Sequence, residues 1–194
     1  MKSGKSFVNQ SLGSIVIISG QVLTDGVVWQ AERRTLPLTG TGNAALLQLP
    51  LAAFFASRQC PGAAIRVATD WALQQVRSRG ALVGGFHSPL EQTVLRLALE
   101  ATSPVVVVLT RPVAQAALPA RWREALAAGA MAVVSASVTN QRLTEEAACD
   151  RNDMAARLAD RVMIGHASDN GQLGKQCADW LADGLAVEWL SRQR

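Results

Sequence analysis

Ala81-Leu-Val-Gly-Gly-Phe-His-Ser-Pro-Leu-Glu91 is the stretch whose reading settles the fold class. Ala81–Val83 is a short apolar run without polar alternation, the pattern of a strand buried on both faces. Ser88, Pro89 and Glu91 fit the N-cap, N1 and N3 positions of a helix. The hydroxyl and the carboxylate form a capping box, and proline takes the slot whose N–H has no partner anyway. A buried strand therefore passes through a glycine pair directly into a helix.

The same alternation extends in both directions. Apolar runs occur at Leu51–Phe55, Val105–Leu109, Met131–Ser135, Val162–Gly165 and Ala186–Leu190. Helical stretches lie between them at Ala63–Arg77, Pro89–Ala101, Pro119–Ala128, Thr144–Ala159 and Leu173–Ala182. Gly80, Gly129 and Gly184 sit where a helix hands over to a strand, as C-terminal cap glycines do. Alternation of this kind predicts an α/β fold, a parallel sheet with helices on both faces. Residues 1–45 have a different texture. Asp25-Gly26 lies between two β-branched runs, Ser14–Ile18 and Val27–Trp29, so Gln21–Trp29 reads as a β-hairpin. Thr39-Gly-Thr-Gly-Asn43 reads as a loop. The division is thus an N-terminal hairpin extension over 1–45 and an α/β domain over 46–194.

In such sheets ligands bind beyond the carboxyl ends of the strands. Those positions hold Ser57 and Arg58, then Gly84, Gly85, Phe86, His87 and Ser88, then Arg111, and finally the loop His166–Lys175 with Gly171, Gly174 and Lys175. A hydroxyl, a guanidinium and free N–H groups at a helix start suit a phosphate. Paired glycines allow a backbone to approach a ligand closely. Phe86 reads either as a base-stacking ring or as a packed one, and His87 either as a phosphate donor or as a solvent-facing residue. Glu91 reads more readily as a cap than as a general base. Arg151 and Asn152 lie inside the helix before the Val162 strand.

Composition narrows the function. The chain of 194 residues has 19 basic and 15 acidic side chains, a net charge of +4. Lys2, Lys5 and Lys175 are its lysines, so the remaining basic residues are arginines, whose planar fork suits phosphate and carboxylate. No apolar run approaches the ~18–20 residues of a spanning helix, and the Ile15–Ile18 patch is too short for a signal peptide. Cys60, Cys149 and Cys177 lack metal spacing and read as free thiols in a reducing cytoplasm. No cofactor or metal is expected.

Three phosphate-loop look-alikes fail. Gly40-Thr-Gly-Asn-Ala-Ala45 fits G-x-G-x-x-A, but Pro37 is expected to spoil the strand before it and Pro50 to cut the helix after it. Gly4-Lys5-Ser6 has no leading glycine or strand. Gly174-Lys175 has Asp169 where the leading glycine belongs and Gln176 where Ser or Thr belongs. There is no G-x-S-x-G nucleophile elbow.

Phe54-Phe-Ala-Ser-Arg-Gln-Cys-Pro-Gly62, Gly84-Gly-Phe-His-Ser-Pro-Leu-Glu91, Arg151-Asn152 and Ala159-Asp-Arg-Val-Met-Ile-Gly-His-Ala167, in that order, resemble the DNA-processing protein A (DprA/Smf) family over about residues 46–190. Ala56-Ser57-Arg58 stands where that family has Gly-Ser-Arg, and the last loop keeps Gly171 and Gly174 without the Gly-Ser-Leu-x-Thr string. The resemblance implies a Rossmann-like sheet binding a nucleotide or single-stranded DNA through its strand-end loops, a role in DNA processing or recombination, and a homodimer. Its phosphate-binding positions carry over onto Ser57, Arg58, Gly84–Ser88 and Gly171 with its neighbours. The alternative is a wider relative, the "lonely guy" phosphoribohydrolases, which cleave nucleoside monophosphates and use G-G-x-G-T-x-x-E. Gly84–Glu91 mimics that spacing, but the enzyme motif belongs at a later strand, where this chain has Asn170-Gly171 and no nearby glutamate. A binding protein is therefore expected ahead of an enzyme.

Overall fold

The computed structural model describes residues 20–23, 26–136, 144–168 and 170–190. The readings on Lys2, Gly4-Lys5-Ser6, Ser14–Ile18, Asp25 and Asp169 lie outside the described residues. Six strands run parallel: β4 (Leu51–Ala56), β5 (Ala81–Gly84), β6 (Val105–Val108), β7 (Met131–Ser135), β8 (Arg161–His166) and β9 (Val187–Trp189). The helices are α1 (Gly62–Arg77), α2 (Pro89–Glu100), α3 (Ala120–Ala127), α4 (Glu145–Leu158) and α5 (Gln172–Ala182). Every residue of β4, β5, β6 and β7 is buried, which is why these strands are written as continuous apolar runs.

The two-residue period of a strand divides this apolar content between two cores. Leu51, Ala53, Phe55, Val106 and Val108 face α4 and α5, where Leu158 and Trp180 close one layer. Ala52, Phe54, Ala56, Val105 and Val107 face α1 and α2, where Trp71, Leu90 and Val94 close the other. Rings reinforce both layers, with Phe54 stacked on Trp71 at 5.2 Å and Phe55 tilted on Trp180 at 4.8 Å. Among the described residues no helix is long and apolar enough to cross a membrane.

The N-terminal hairpin is present and larger than expected. β1 (Gly20–Leu23) pairs with β2 (Gly26–Arg33), β2 pairs with β3 (Leu36–Gly42), and β3 pairs antiparallel with β7. The sheet therefore has nine strands among the described residues, in the order β1-β2-β3-β7-β6-β5-β4-β8-β9. Thr39–Gly42, expected in a loop, is strand. Two physical details explain it. Pro37 costs no ladder bond to β7, because that pairing starts two residues later, at Thr39. Gly40 lies under the Trp29 indole, and a Cβ there would sit 2.5 Å from Cζ3. Trp29 also donates from Nε1 to the Gly42 carbonyl at 2.9 Å. An aromatic ring thus covers a strand glycine and replaces the packing the glycine lacks. The Gly-Thr-Gly string is explained by the strand alone.

The β2–β3 turn is tied to the domain. Arg34 and Thr35 both have positive φ, 50° and 64°. Arg33 and Arg34 reach from this turn to Asp160, at 2.8 and 2.5 Å, and to the Leu158 and Ala159 carbonyls. At the helix ends, Gly129 and Gly184 have the expected positive φ, 70° and 79°. At Gly80 the left-handed residue is its neighbour Arg79, at φ 52°.

Strand order decides where ligands can bind. From β4 the chain moves to β5, β6 and β7 on one side. Helix α4 then carries it back across the sheet to β8 on the other side of β4, and on to β9. The carboxyl ends of β4 and β8 lie side by side with exits in opposite directions, which is the switch point of an open α/β sheet.

Candidate functional site

At the switch point the β4–β8 register slips between Phe55 and Ala56, so that Ala56 is opposite His166. A bulge at this position re-aims the residues after the strand. The Ser57 N–H donates to the His166 carbonyl at 2.8 Å, and the Ser168 N–H donates to Ser57 Oγ at 3.3 Å. The two strand ends are thereby stitched together. Arg58 comes next and is exposed. Helix α1 begins at Gly62 behind Pro61, and α5 begins at Gln172 behind Gly171. Neither start has a capping side chain, a trait shared with α3 at Pro119, whereas Ser88 and Thr144 cap α2 and α4. Among the described residues the first-turn N–H groups of α1 and α5 therefore have no side-chain partner, and they carry the positive end of each helix.

The second half of the site is the β5–α2 loop, and Glu91 organises it. Its carboxylate is buried. Oε1 accepts from the Ala56 N–H at 3.1 Å, and Oε2 accepts from the His87 and Ser88 N–H groups at 2.8 and 3.3 Å. The capping box expected from Ser88 and Glu91 is present, with the Glu91 N–H donating to Ser88 Oγ at 3.2 Å. The bond to Ala56 adds a tether from the end of β4 to the start of α2. Burial pushes the Glu91 pKa up, against the pull of the three N–H donors and Arg151. A carboxylate whose two oxygens are already taken by backbone donors is poorly placed to remove a proton from a substrate. That geometry counts against the phosphoribohydrolase alternative.

Arg151 reaches this loop from α4 and is 7% exposed. Nη2 donates to Asn152 Oδ1 at 3.0 Å, while Nε is buried without a partner. Asn152 is held by Gln176 at 3.2 Å, and Gln176 bonds Asp153 at 2.7 Å, so the arm carrying Arg151 is braced against α5. The guanidinium lies against Gly85: a Cβ there would overlap Nε and Cδ and come within 2.9 Å of Cζ. Burial lowers the Arg151 pKa, and Glu91 opposes the shift as its counter-charge.

Two sequence readings sharpen here. Gly85 makes room for the protein's own Arg151 side chain, while a Cβ at Gly84 would stand in ordinary contact with the Phe86 ring at 3.4 Å. Phe86 is also no stacking platform. It is 4% exposed and packs in the α1–α2 core. Its φ of 53° turns the ring inward. The left-handed turn costs about 1–2 kcal/mol, and burying the ring returns about 1.5–3 kcal/mol.

His87, next in the chain, is exposed. Partial enclosure by the loop, and secondarily the Arg151 charge, lower its pKa to about 4. The imidazole is neutral at pH 7 and can donate one hydrogen bond. A free-chain histidine titrates near ~6.5, so between that pH and about 4 the unfolded chain binds the extra proton. This residue's contribution to stability therefore declines as pH falls through that window. An NMR titration is expected to give a midpoint near 4, rising when an anion binds; a midpoint at or above the free-chain value would show that the loop does not enclose the imidazole.

The remaining residues divide clearly. Ser57, Arg58 and Gly171 gather at the β4–β8 ends, and Gly84, Gly85, His87, Ser88 and Arg151 at the β5 end, with Glu91 joining the halves. Asn152 braces Arg151. Arg111 comes after β6 on the same edge, farther along the sheet, and no contact ties it to Ser57. Gly174 and Lys175 fall in the first turn of α5, with Lys175 exposed. Arg58, Arg111 and Lys175 form no side-chain hydrogen bond or ion pair among the described residues. Sequence reasoning passed over His166 and Ser168 as parts of a loop. His166 ends β8, directly after the apolar run, and that position was the available signal. Among the described residues no cluster of His, Cys, Asp and Glu could hold a metal ion. Two cavities, of 340 and 550 Å3, lie between α2 and α3 and include no residue of the switch point.

No family model and no curated protein matches the sequence. Solved structures do match. The chain is similar to DNA processing protein A (DprA) from Streptococcus pneumoniae, with TM-score 0.65 and 19% identity over 79% of this chain and 54% of that one. It is similar to DNA processing protein A from Helicobacter pylori, a protein described by its single-stranded DNA binding mode, with TM-score 0.65 and 14% identity over 81% and 73% of the two chains. It is also similar to the Moco carrier protein from Chlamydomonas reinhardtii, with TM-score 0.50 and 13% identity over 75% and 78%. This chain thus spans about half the length of the Streptococcus protein, 54%. It has a DprA-like, Rossmann-like fold.

Proposed function

We propose that the carboxyl edge of the sheet at β4 and β8 binds the phosphates of single-stranded DNA, without chemistry. The observation that carries this reading is the meeting, at one switch point, of two helix starts without capping side chains and an exposed Arg58 that is unpaired among the described residues. Oriented N–H groups and a guanidinium recognise phosphate oxygens. Lys175 adds positive charge one helical turn into α5, and Arg111 adds it farther along the edge. The DprA-like fold and the DNA-binding neighbour from Helicobacter support the polymer over a lone nucleotide.

The burial of Phe86 shapes the binding mode. With that ring in the core, contacts fall on the backbone, and recognition is independent of base identity. Fluorescence anisotropy with labelled oligodeoxythymidylate is expected to show affinity falling with salt. The log–log slope should be roughly −2, or about −0.7 for each phosphate met by Arg58, Arg111 and Lys175. Arg58→Ala should flatten the slope by roughly 0.7, and an abasic oligonucleotide should bind nearly as well. Affinity independent of salt, or lost with the bases, would overturn the reading. A thermal shift with mononucleotides but no oligonucleotide binding would move the site to a single nucleotide.

A further inference from the structure

We propose that the 550 Å3 groove between α2 and α3 docks an acidic amphipathic helix of a partner protein. Its lining residues on α2 recur every three or four positions, at Pro89, Gln92, Arg96 and Leu99, so the groove follows α2 along nearly its whole length. At 1.5 Å per residue that is roughly 15 Å, about three turns of a helix laid alongside. The first turn of α3 supplies the other wall through Pro119, Arg121 and Trp122. No residue of α3 is fully buried, so this helix leaves the surface beside it uncovered. Leu95, Leu99 and Trp122 give the groove its apolar surface. Trp122 is half-buried, and its indole N–H has no hydrogen-bond acceptor among the described residues. A partly exposed tryptophan in a concave apolar surface, with arginines at the rim, has the make-up of a protein–protein hot spot. A helix docks in such a groove through apolar anchors three and four residues apart.

The charges select the flanks of that helix. Arg96 and Arg121 are the charged residues lining the groove among the described residues. Both approach one carboxylate, Glu100, at 3.1 and 3.8 Å, and Glu100 stands outside the lining. One acid shared by two bases leaves positive charge at the rim. The two side chains are 51% and 65% exposed, so they are free to turn towards a second carboxylate. Such a rim repels a basic helix. A DNA backbone bound through its phosphates has no hydrocarbon to set against Leu95 and Trp122. A helix with leucines on one face and glutamates beside them meets both the floor and the rim.

The test is fluorescence anisotropy of the full chain with a labelled peptide of about 15 residues. It carries leucines at helical spacing with glutamates on either flank. The controls are the same peptide with lysine for glutamate and a scrambled peptide of equal composition. The glutamate peptide is expected to bind, more weakly as salt rises, and to shift the amide resonances of residues 89–99 and 119–122. Arg96→Ala and Arg121→Ala change exposed side chains. Each should weaken the peptide roughly fivefold, the upper end for an exposed ion pair, and leave oligonucleotide affinity unchanged. No binding of the glutamate peptide at millimolar concentration, equal binding of either control, shifts confined to other surfaces, or unchanged affinity in both variants would each overturn the proposal. So would oligonucleotide affinity that falls in the same two variants, which would make the groove part of the DNA path. A dimer of the protein alone by light scattering, dispersed by Arg121→Ala, would make the occupant a second copy and overturn it too. Failure of DNA binding at the switch point leaves each peptide result readable.

Discussion

Replacing Glu91 with alanine is expected to lower the unfolding free energy by about 3–5 kcal/mol, because several buried donors lose one shared acceptor at about 1–3 kcal/mol each. Three losses coincide. The Ala56, His87 and Ser88 N–H groups lose their acceptor, α2 loses half of its capping box, and Arg151 is left as a buried cation without its counter-charge. Domains of this kind are stable by only ~5–15 kcal/mol, so the variant sits close to unfolding. Urea denaturation checks it, with Glu91→Gln as the companion. The amide keeps one oxygen for the N–H donors but removes the charge facing Arg151, so its cost isolates the electrostatic share. A change below ~1 kcal/mol for alanine would mean that water replaces the carboxylate, and that the tether between β4 and α2 is dispensable.

Gly85→Ala is expected to destabilise the fold by about 2–3 kcal/mol, at the upper end of overpacking costs, and to weaken oligonucleotide binding. The new methyl group would occupy the space of Arg151 Nε and Cδ. The φ of Gly85 is not in the left-handed region, so alanine's backbone is acceptable and the penalty is purely steric. The guanidinium can escape only by leaving Asn152 and the brace to α5. A double-mutant cycle isolates this cause. In an Arg151→Ala background, Gly85→Ala should cost far less than in the parent, because the colliding atoms are gone. Additive costs would show that the glycine serves backbone freedom instead.

The strand-end rule, applied to sequence, picked out residues that the structure places along the carboxyl edge of the sheet. Ser57, Arg58, Gly171 and the Gly84–Glu91 loop were legible because buried parallel strands are written as unbroken apolar runs, so the residue after each run marks an edge. The capping box was legible because its partners are three residues apart. Phe86 was left open between a base-stacking and a packed ring because its positive φ and its burial are set by the tertiary structure, and local sequence does not encode that choice for a phenylalanine. The packing role of Gly85 was not legible because its neighbour, Arg151, is distant in the chain and arrives only through packing of α4. Pro37 hid β3, since proline's effect depends on whether a partner strand needs its N–H.

From Leu51 onward, local chemistry alone determined the alternation of strands and helices, their boundaries to within a residue or two, and the parallel class, because those features rest on periodicity and caps within a few residues. Strand order belongs to the tertiary structure. The return of α4 across the sheet places β8 beside β4, and only that adjacency brings His166 and Ser168 onto Ser57. It also sets the starts of α1 and α5, neither with a capping side chain, at one switch point. The same packing turned Gly40-Thr-Gly42 from a supposed loop into a strand under Trp29 and buried Arg151 against Gly85. Contacts between residues far apart in sequence carry no periodic signature, so they are decided only when the two cores close.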